Sequence, residues 1–166
     1  MVKKKKVLKK RSVTRKPTFV TKLANNLVET LKPYCKRIQI VGSIRRKEKN
    51  PTDIDIVLIP KDKEKLKEFM KKKGSYIQGG EKESTFKIKG KKVELYYTTS
   101  KEWGAALLAY SSKTGSSIGL RVFAKKKGFK LNQHGLFDKK GKFIAGKTER
   151  AIYKSLGKSW KPPEKR

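Results

Sequence analysis

Residues 53–59 read Asp-Ile-Asp-Ile-Val-Leu-Ile, and Pro60 closes the run. So many β-branched residues in sequence fit an interior strand better than any other element. Side chains alternate across a strand, so Asp53 and Asp55 share a face, about 6–7 Å apart. Two like charges on an otherwise apolar strand are costly unless a cation joins them. Acids are also scarce here, 14 Asp and Glu against 46 Lys and Arg. The alternative is that Asp53 caps the turn after Pro51-Thr52 and Asp55 pairs with a lysine.

A third acid has the same character. Thr85–Lys89 and Lys92–Thr98 flank Gly90-Lys91, which reads as a hairpin. In its second strand, Glu94 faces away from Val93 and Leu95. If that strand neighbours residues 53–59, three carboxylates meet, a donor set for the hard cations Mg²⁺ or Mn²⁺. Two such ions about 4 Å apart stabilise the attacking and leaving oxygens of a phosphoryl displacement. Upstream, Gly42-Ser43-Ile44-Arg45-Arg46 lies between a strand and a short helix. Glycine admits an anion to the backbone, Ser43 offers a hydroxyl and an N–H at a helix start, and Arg46 adds a planar fork for phosphate.

The net charge of +32 requires a polyanion or salt to screen it. Nucleic acid fits, because each neutralised phosphate releases counterions. An anionic membrane fits less well, since no apolar face is interleaved with the basic runs, and no stretch is long and apolar enough to span one. A ribosomal or architectural protein would carry the same charge balance. One histidine and one cysteine exclude a structural zinc site and a Ser-His-Asp or Cys-His machine. The lone Cys35 points to a reducing compartment. Residues 1–15 lack an apolar centre and do not read as a signal peptide.

Along the chain, residues 1–17 read as a flexible basic arm. Thr18 caps a helix with the stripe Phe19, Val20, Leu23, Leu27, Val28 and Leu31, ended by Pro33. A strand over Arg37–Val41, a short polar helical turn over Ile44–Lys49 and a helix over Asp62–Lys73 follow. The helix Glu102–Tyr110 opens a second lobe, with the boundary near Thr99–Trp103. Ser111–Ser117 reads as a Ser/Thr/Gly stretch before a basic helix over Ile118–Lys127. Short strands near Phe129–Leu131 and Leu136-Phe137, a turn at 139–142 and a helix over Thr148–Leu156 complete it. The class is α+β: a lobe at 18–100 with a small mixed sheet and helices, then a small α+β lobe at 101–166.

The run Gly42-Ser43-x-Arg45-Arg46-x6-Asp53-x-Asp55 resembles the nucleotidyltransferase signature of the family X DNA polymerases. So do Trp103-Gly104-Ala105-Ala106-Leu107-Leu108, the segment from Arg121 through Gly128-Phe129-Lys130-Leu131-Asn132-Gln133-His134-Gly135-Leu136-Phe137, and the close Thr148-Glu149…Pro162-Pro163-Glu164-x-Arg166. The resemblance covers about residues 18–166 and is nearest to the minimal palm-and-thumb members. It implies a palm and a thumb, with Asp53, Asp55 and Glu94 holding two Mg²⁺ ions, for which Mn²⁺ can substitute. Glu94 would also help activate the primer 3′-hydroxyl. Gly42, Ser43, Arg45 and Arg46 would bind the triphosphate, with Ala109, Tyr110 and Ser117 near the sugar and base. Arg121, Lys113, Lys125, Lys126, Lys127, Lys130, Asn132 and His134 would face DNA. The implied partners are dNTP and gapped or nicked duplex DNA. A monomer in a nucleus or a viral replication compartment, with no membrane, is expected. The implied activity is filling short gaps in DNA repair. A template-independent nucleotidyltransferase and a non-catalytic basic DNA-binding protein are the alternatives. Two departures stand out: the third acid is Glu94 where the family has Asp, and Ala109 stands where it has a large aromatic.

Overall fold

The computed structural model describes residues 16–166; of the expected basic arm, all but Lys16 and Pro17 lie outside the described residues. Helix α1 (Phe19–Leu31) starts where the Thr18 hydroxyl accepts the Thr21 N–H, and Pro33 turns it through a 3₁₀ segment into β1 (Cys35–Ile40). Val20, Leu23, Leu27 and Leu31 point inward as the helical spacing predicts. Phe19, expected in that stripe, is instead exposed. Cys35 is buried, and its thiol is pushed up to about 11 by burial, against the lowering charge of Lys61.

A four-residue helix α2 (Gly42–Arg45) precedes β2 (Ile54–Pro60). Helix α3 (Lys63–Lys73), capped by Asp62, leads to β3 (Ser75–Gly79), β4 (Glu83–Ile88) and β5 (Lys91–Tyr97). The strands form one mixed sheet, β1-β2-β5-β4-β3. β2 runs antiparallel to β1 and parallel to β5. Its two faces are both covered, which explains its nearly continuous apolar sequence. Ile54, Ile56 and Leu58 pack with α1 and α3, while Val57 packs with Val41 and Trp103 on the other side. Asp55 shares the Val57 face by strand alternation, and Glu94 likewise lies opposite Val93 and Leu95, which join the first cluster. The edge strand β3 was not anticipated; its residues are mostly exposed, so no buried alternation marks it.

Helix α4 (Trp103–Ser111) is buried nearly all round and joins this sheet to the second half. Gly104 is required there, because a Cβ would overlap the Thr148 backbone. Helix α5 (Thr114–Lys126) begins four residues before Ile118, where a loop was expected. Its Ser/Thr/Gly first turn is a weak helix former, held by the Ser117 N–H to Lys113 carbonyl bond of 2.9 Å. Strands β6 (Lys130–Asn132), β7 (Gly135–Phe137) and β8 (Phe143–Ala145) form a separate antiparallel sheet. β8 was also missed: it is three residues long, and Asp138 folds the turn before it by accepting the Lys140 and Lys142 N–H groups. Helix α6 (Glu149–Ser155), capped by Thr148, packs Ile152 and Tyr153 against Leu108, Ala124 and Leu136. The observed class is α+β, with a five-stranded mixed sheet.

Candidate active site

The register of β2 on β5 sets Asp55 directly beside Glu94. Asp53 sits on the bend just before β2, exposed, while Asp55 and Glu94 are half-buried. Burial first, then the charges of Glu94 and Asp53, push the Asp55 carboxyl up to about 6. Lys92 and Arg46 oppose that rise by smaller amounts. Asp55 therefore lies in an anionic environment that its protein neighbours do not fully compensate.

Gly42 packs against this carboxylate. Its φ of +62° is in the left-handed region, and a Cβ there would overlap Asp55 Oδ2. The Val41 N–H donates to the Asp55 carbonyl at 2.8 Å, tying the Gly-Ser bend to the acid-bearing strand. This bend would be closed to any other residue type, and it leaves Ser43 half-buried at the start of α2.

The two arginines that follow are placed differently from each other. Arg45 donates from both terminal nitrogens to Glu149, at 2.8 and 3.0 Å, and from Nη1 to the Ser111 hydroxyl at 2.7 Å. Glu149 also accepts from Arg166 Nη1 at 2.8 Å. Burial raises the Glu149 carboxyl, but the bonds from Arg45 and Arg166 outweigh it and hold the group below the usual range. Arg45 thus faces the junction with α6 and not the carboxylates. Arg46 bonds Glu48 at 2.9 Å and the Ser111 carbonyl at 3.2 Å, and it lies close enough to Asp55 to lower its proton affinity. Sequence reasoning missed Glu149 and Arg166 as a structural pair; an acid at a capped helix start among so many bases was the available signal.

Tyr110 stacks face to face on Tyr96, with ring centroids 3.8 Å apart and planes 14° from parallel. Tyr96 follows Glu94 by two residues on β5, and burial, then Asp55 and Glu94, raise its phenol. Ala109, Ser117, Arg121 and Asn132 line one narrow crevice between α4, α5 and β6. Lys125, Lys130 and Asn132 line a neighbouring groove of about 560 Å³. Lys113, at the start of α5, and Lys126 are exposed. Lys127 Nζ lies over the Phe123 ring at 5.4 Å. His134 is half-buried; its Nδ1 is 3.2 Å from Glu102 Oε1, and its N–H donates to Asn132 Oδ1 at 2.8 Å.

Whether these residues suit a divalent ion follows from their chemistry. The donors are all carboxylate oxygens, at the edge of solvent, with a surplus of negative charge and a glycine bend pressed against one of them. Hard cations that keep water or take substrate oxygens fit such an open set. Among the described residues no three acid, histidine or cysteine side chains are grouped so as to hold a metal ion, so the expected convergence of three carboxylates is reduced to the register pair Asp55 and Glu94, with Asp53 on the exposed bend before them.

Residues 106–166 match the family described as DNA polymerase beta thumb. The chain is 32% and 33% identical over 150 residues to Repair DNA polymerase X of two African swine fever virus isolates, covering 83% of this chain and 86% of each relative. It is 36% identical over 80 residues to human DNA-directed DNA/RNA polymerase mu, covering 47% of this chain and 16% of that protein. A five-stranded mixed sheet carrying the acid pair, joined to a segment that matches a beta-type thumb, puts the chain in the nucleotidyltransferase class. The chain belongs to family X of the DNA polymerases, and its activity is that of a DNA-directed DNA polymerase.

Proposed function

We propose that this chain fills short gaps during DNA repair, adding a nucleotide from dNTP to a primer 3′-hydroxyl. The observation that carries this reading is the parallel register that sets Glu94 beside Asp55, with the Gly42 bend packed on the same carboxylate. Asp53, Asp55 and Glu94 would hold two Mg²⁺ ions, or Mn²⁺; when bound, such ions offset the charge of a phosphoryl displacement. The protein supplies the rest. Gly42 and Ser43 present backbone and hydroxyl donors to the triphosphate, and Arg46 supplies charge beside them. Glu94 would help activate the primer 3′-hydroxyl, whose oxygen attacks the α-phosphorus as pyrophosphate leaves. Arg45 acts from behind the bend through Glu149, as a positioning residue.

Residues 18–100 form the palm and 101–166 the thumb. Arg121, Ser117 and Asn132 border the crevice beside the base pair, and Lys113, Lys125, Lys126, Lys127, Lys130 and His134 face the duplex. Ala109 stands where the family has a large aromatic, so discrimination against ribonucleotides is weak; the name of the human relative, which includes both DNA and RNA, agrees with that. The enzyme acts as a monomer in a reducing compartment, a nucleus or a viral replication site. Among the described residues no helix is long and apolar enough to cross a membrane.

Primer extension on one-nucleotide gapped DNA with Mg²⁺ or Mn²⁺ tests the reading. Asp53→Asn and Asp55→Asn should each abolish extension while DNA binding persists. Full activity in either variant contradicts the assignment of the acids. Equal extension without a template strand would favour a template-independent transferase.

A further inference from the structure

Lys92 precedes Glu94 by two residues on β5, so the two share a face. The Lys92 ammonium donates to Glu94 Oε1 at 2.9 Å. Glu94 is the residue beside Asp55 in the β2–β5 register, and Asp53 precedes Asp55 by two residues. Among the described residues no other lysine or arginine forms an ion pair with any of these three acids. The ammonium therefore occupies the field of the whole carboxylate set.

We propose that Lys92 is an internal counter-ion for the acid set, holding Glu94 while no divalent ion is present and competing with the metal for that carboxylate. The inference rests on the reading of Asp53, Asp55 and Glu94 as metal ligands. The physics has two parts. A lone exposed Lys–Glu pair contributes little. Here, however, the ammonium is bonded to one acid of a set that outnumbers its positive neighbours, Lys92 and Arg46, and the loss of its charge changes the field felt by an entering dication. Lysine suits such a role: its flexible stem lets the ammonium swing to water, and the side chain is 50% exposed, so the exit is open. Lys92 in this way sets the metal concentration at which the site fills and limits the mutual repulsion of the acids before it does.

The test is a Mn²⁺ titration of the full chain, without DNA or nucleotide, followed by the electron paramagnetic resonance signal of free Mn²⁺. Wild type is compared with Lys92→Met, Lys92→Gln and Asp55→Asn, and melting is recorded for each with and without Mn²⁺. The Lys92 variants should bind Mn²⁺ about 3- to 10-fold more tightly, corresponding to about 0.6–1.4 kcal/mol. Without metal they should melt below wild type, and Mn²⁺ should raise their melting temperature more. These opposite signs separate a competing charge from a merely structural contact. Equal or weaker Mn²⁺ binding by both folded Lys92 variants overturns the proposal. If wild type shows no Mn²⁺ binding that Asp55→Asn removes, the assignment of the metal ligands fails, and the counter-ion role falls with it.

Discussion

Glu149 is the residue whose removal best tests how the two halves of the molecule are joined. Its carboxylate is only 7% exposed and accepts from two arginines, one of them, Arg166, with a side chain 1% exposed. Glu149→Gln preserves shape but leaves two guanidinium groups without their counter-charge and turns one acceptor into a donor facing donors. Breaking a buried ion pair from one side costs about 3–5 kcal/mol. The lower end applies, because Arg45 is 15% exposed and water can partly solvate it. For a chain of this size about 3 kcal/mol lowers the melting temperature by roughly 6–12 °C. The assay is thermal and urea unfolding at pH 7, followed by circular dichroism. The pH dependence adds a second check. The Glu149 carboxyl is held below its unfolded value, so its stabilisation is complete above the unfolded pKa of about 4.3 and fades as pH falls through the lower folded value. The gap between wild type and variant should therefore stay constant from pH 7 to 5 and narrow in stronger acid. A variant within about 0.5 kcal/mol of wild type at pH 7, the range of an ordinary surface change, would refute the reasoning.

Two further outcomes follow from the same geometry. Gly42→Ala combines a left-handed backbone, about 1–2 kcal/mol, with overpacking against Asp55, about 1–3 kcal/mol, so a loss of roughly 2–5 kcal/mol is expected in denaturant unfolding; a neutral result would show that the bend relaxes freely. Asp55→Asn should stabilise the metal-free protein at pH 7 by about 1–2 kcal/mol. The folded carboxyl is raised to about 6, so its ionised form destabilises the fold above that pH, and the advantage of the variant should vanish towards pH 4; an advantage that persists there would contradict the sign.

How far the sequence revealed this site depended on the kind of signal. Strand β2 was legible because both faces are buried and its β-branched run admits no other reading. The alternation of β5 likewise placed Glu94 on the face away from Val93 and Leu95. The partnership of the two strands was not legible, since Asp55 and Glu94 meet only through a parallel crossover that local pattern does not encode. Edge strand β3 and the three-residue β8 lacked the buried alternation that marks a strand. The first turn of α5 was hidden by residues that favour loops; it is mostly exposed, and it continues a helix that is anchored further along by Leu120, Phe123 and Ala124. Arg45 carried the same local signal as Arg46. Only tertiary contact with Ser111 and Glu149 separates a side chain under the bend from one beside the carboxylates.

The parallel pairing of β2 with β5 has a kinetic consequence. All of α3, β3 and β4 lies between the two strands, so closing that ladder means ordering a long intervening segment first. Loop closure of this kind is slow relative to local hairpins. The β4–β5 hairpin closes through a two-residue turn and bears little of that loop entropy, whereas pairing β5 with β2 bears all of it. The Asp55–Glu94 repulsion is met through that same long-range pairing, so the entropic and the electrostatic costs fall on one ladder, which Ile54, Ile56, Val93 and Leu95 offset by burial.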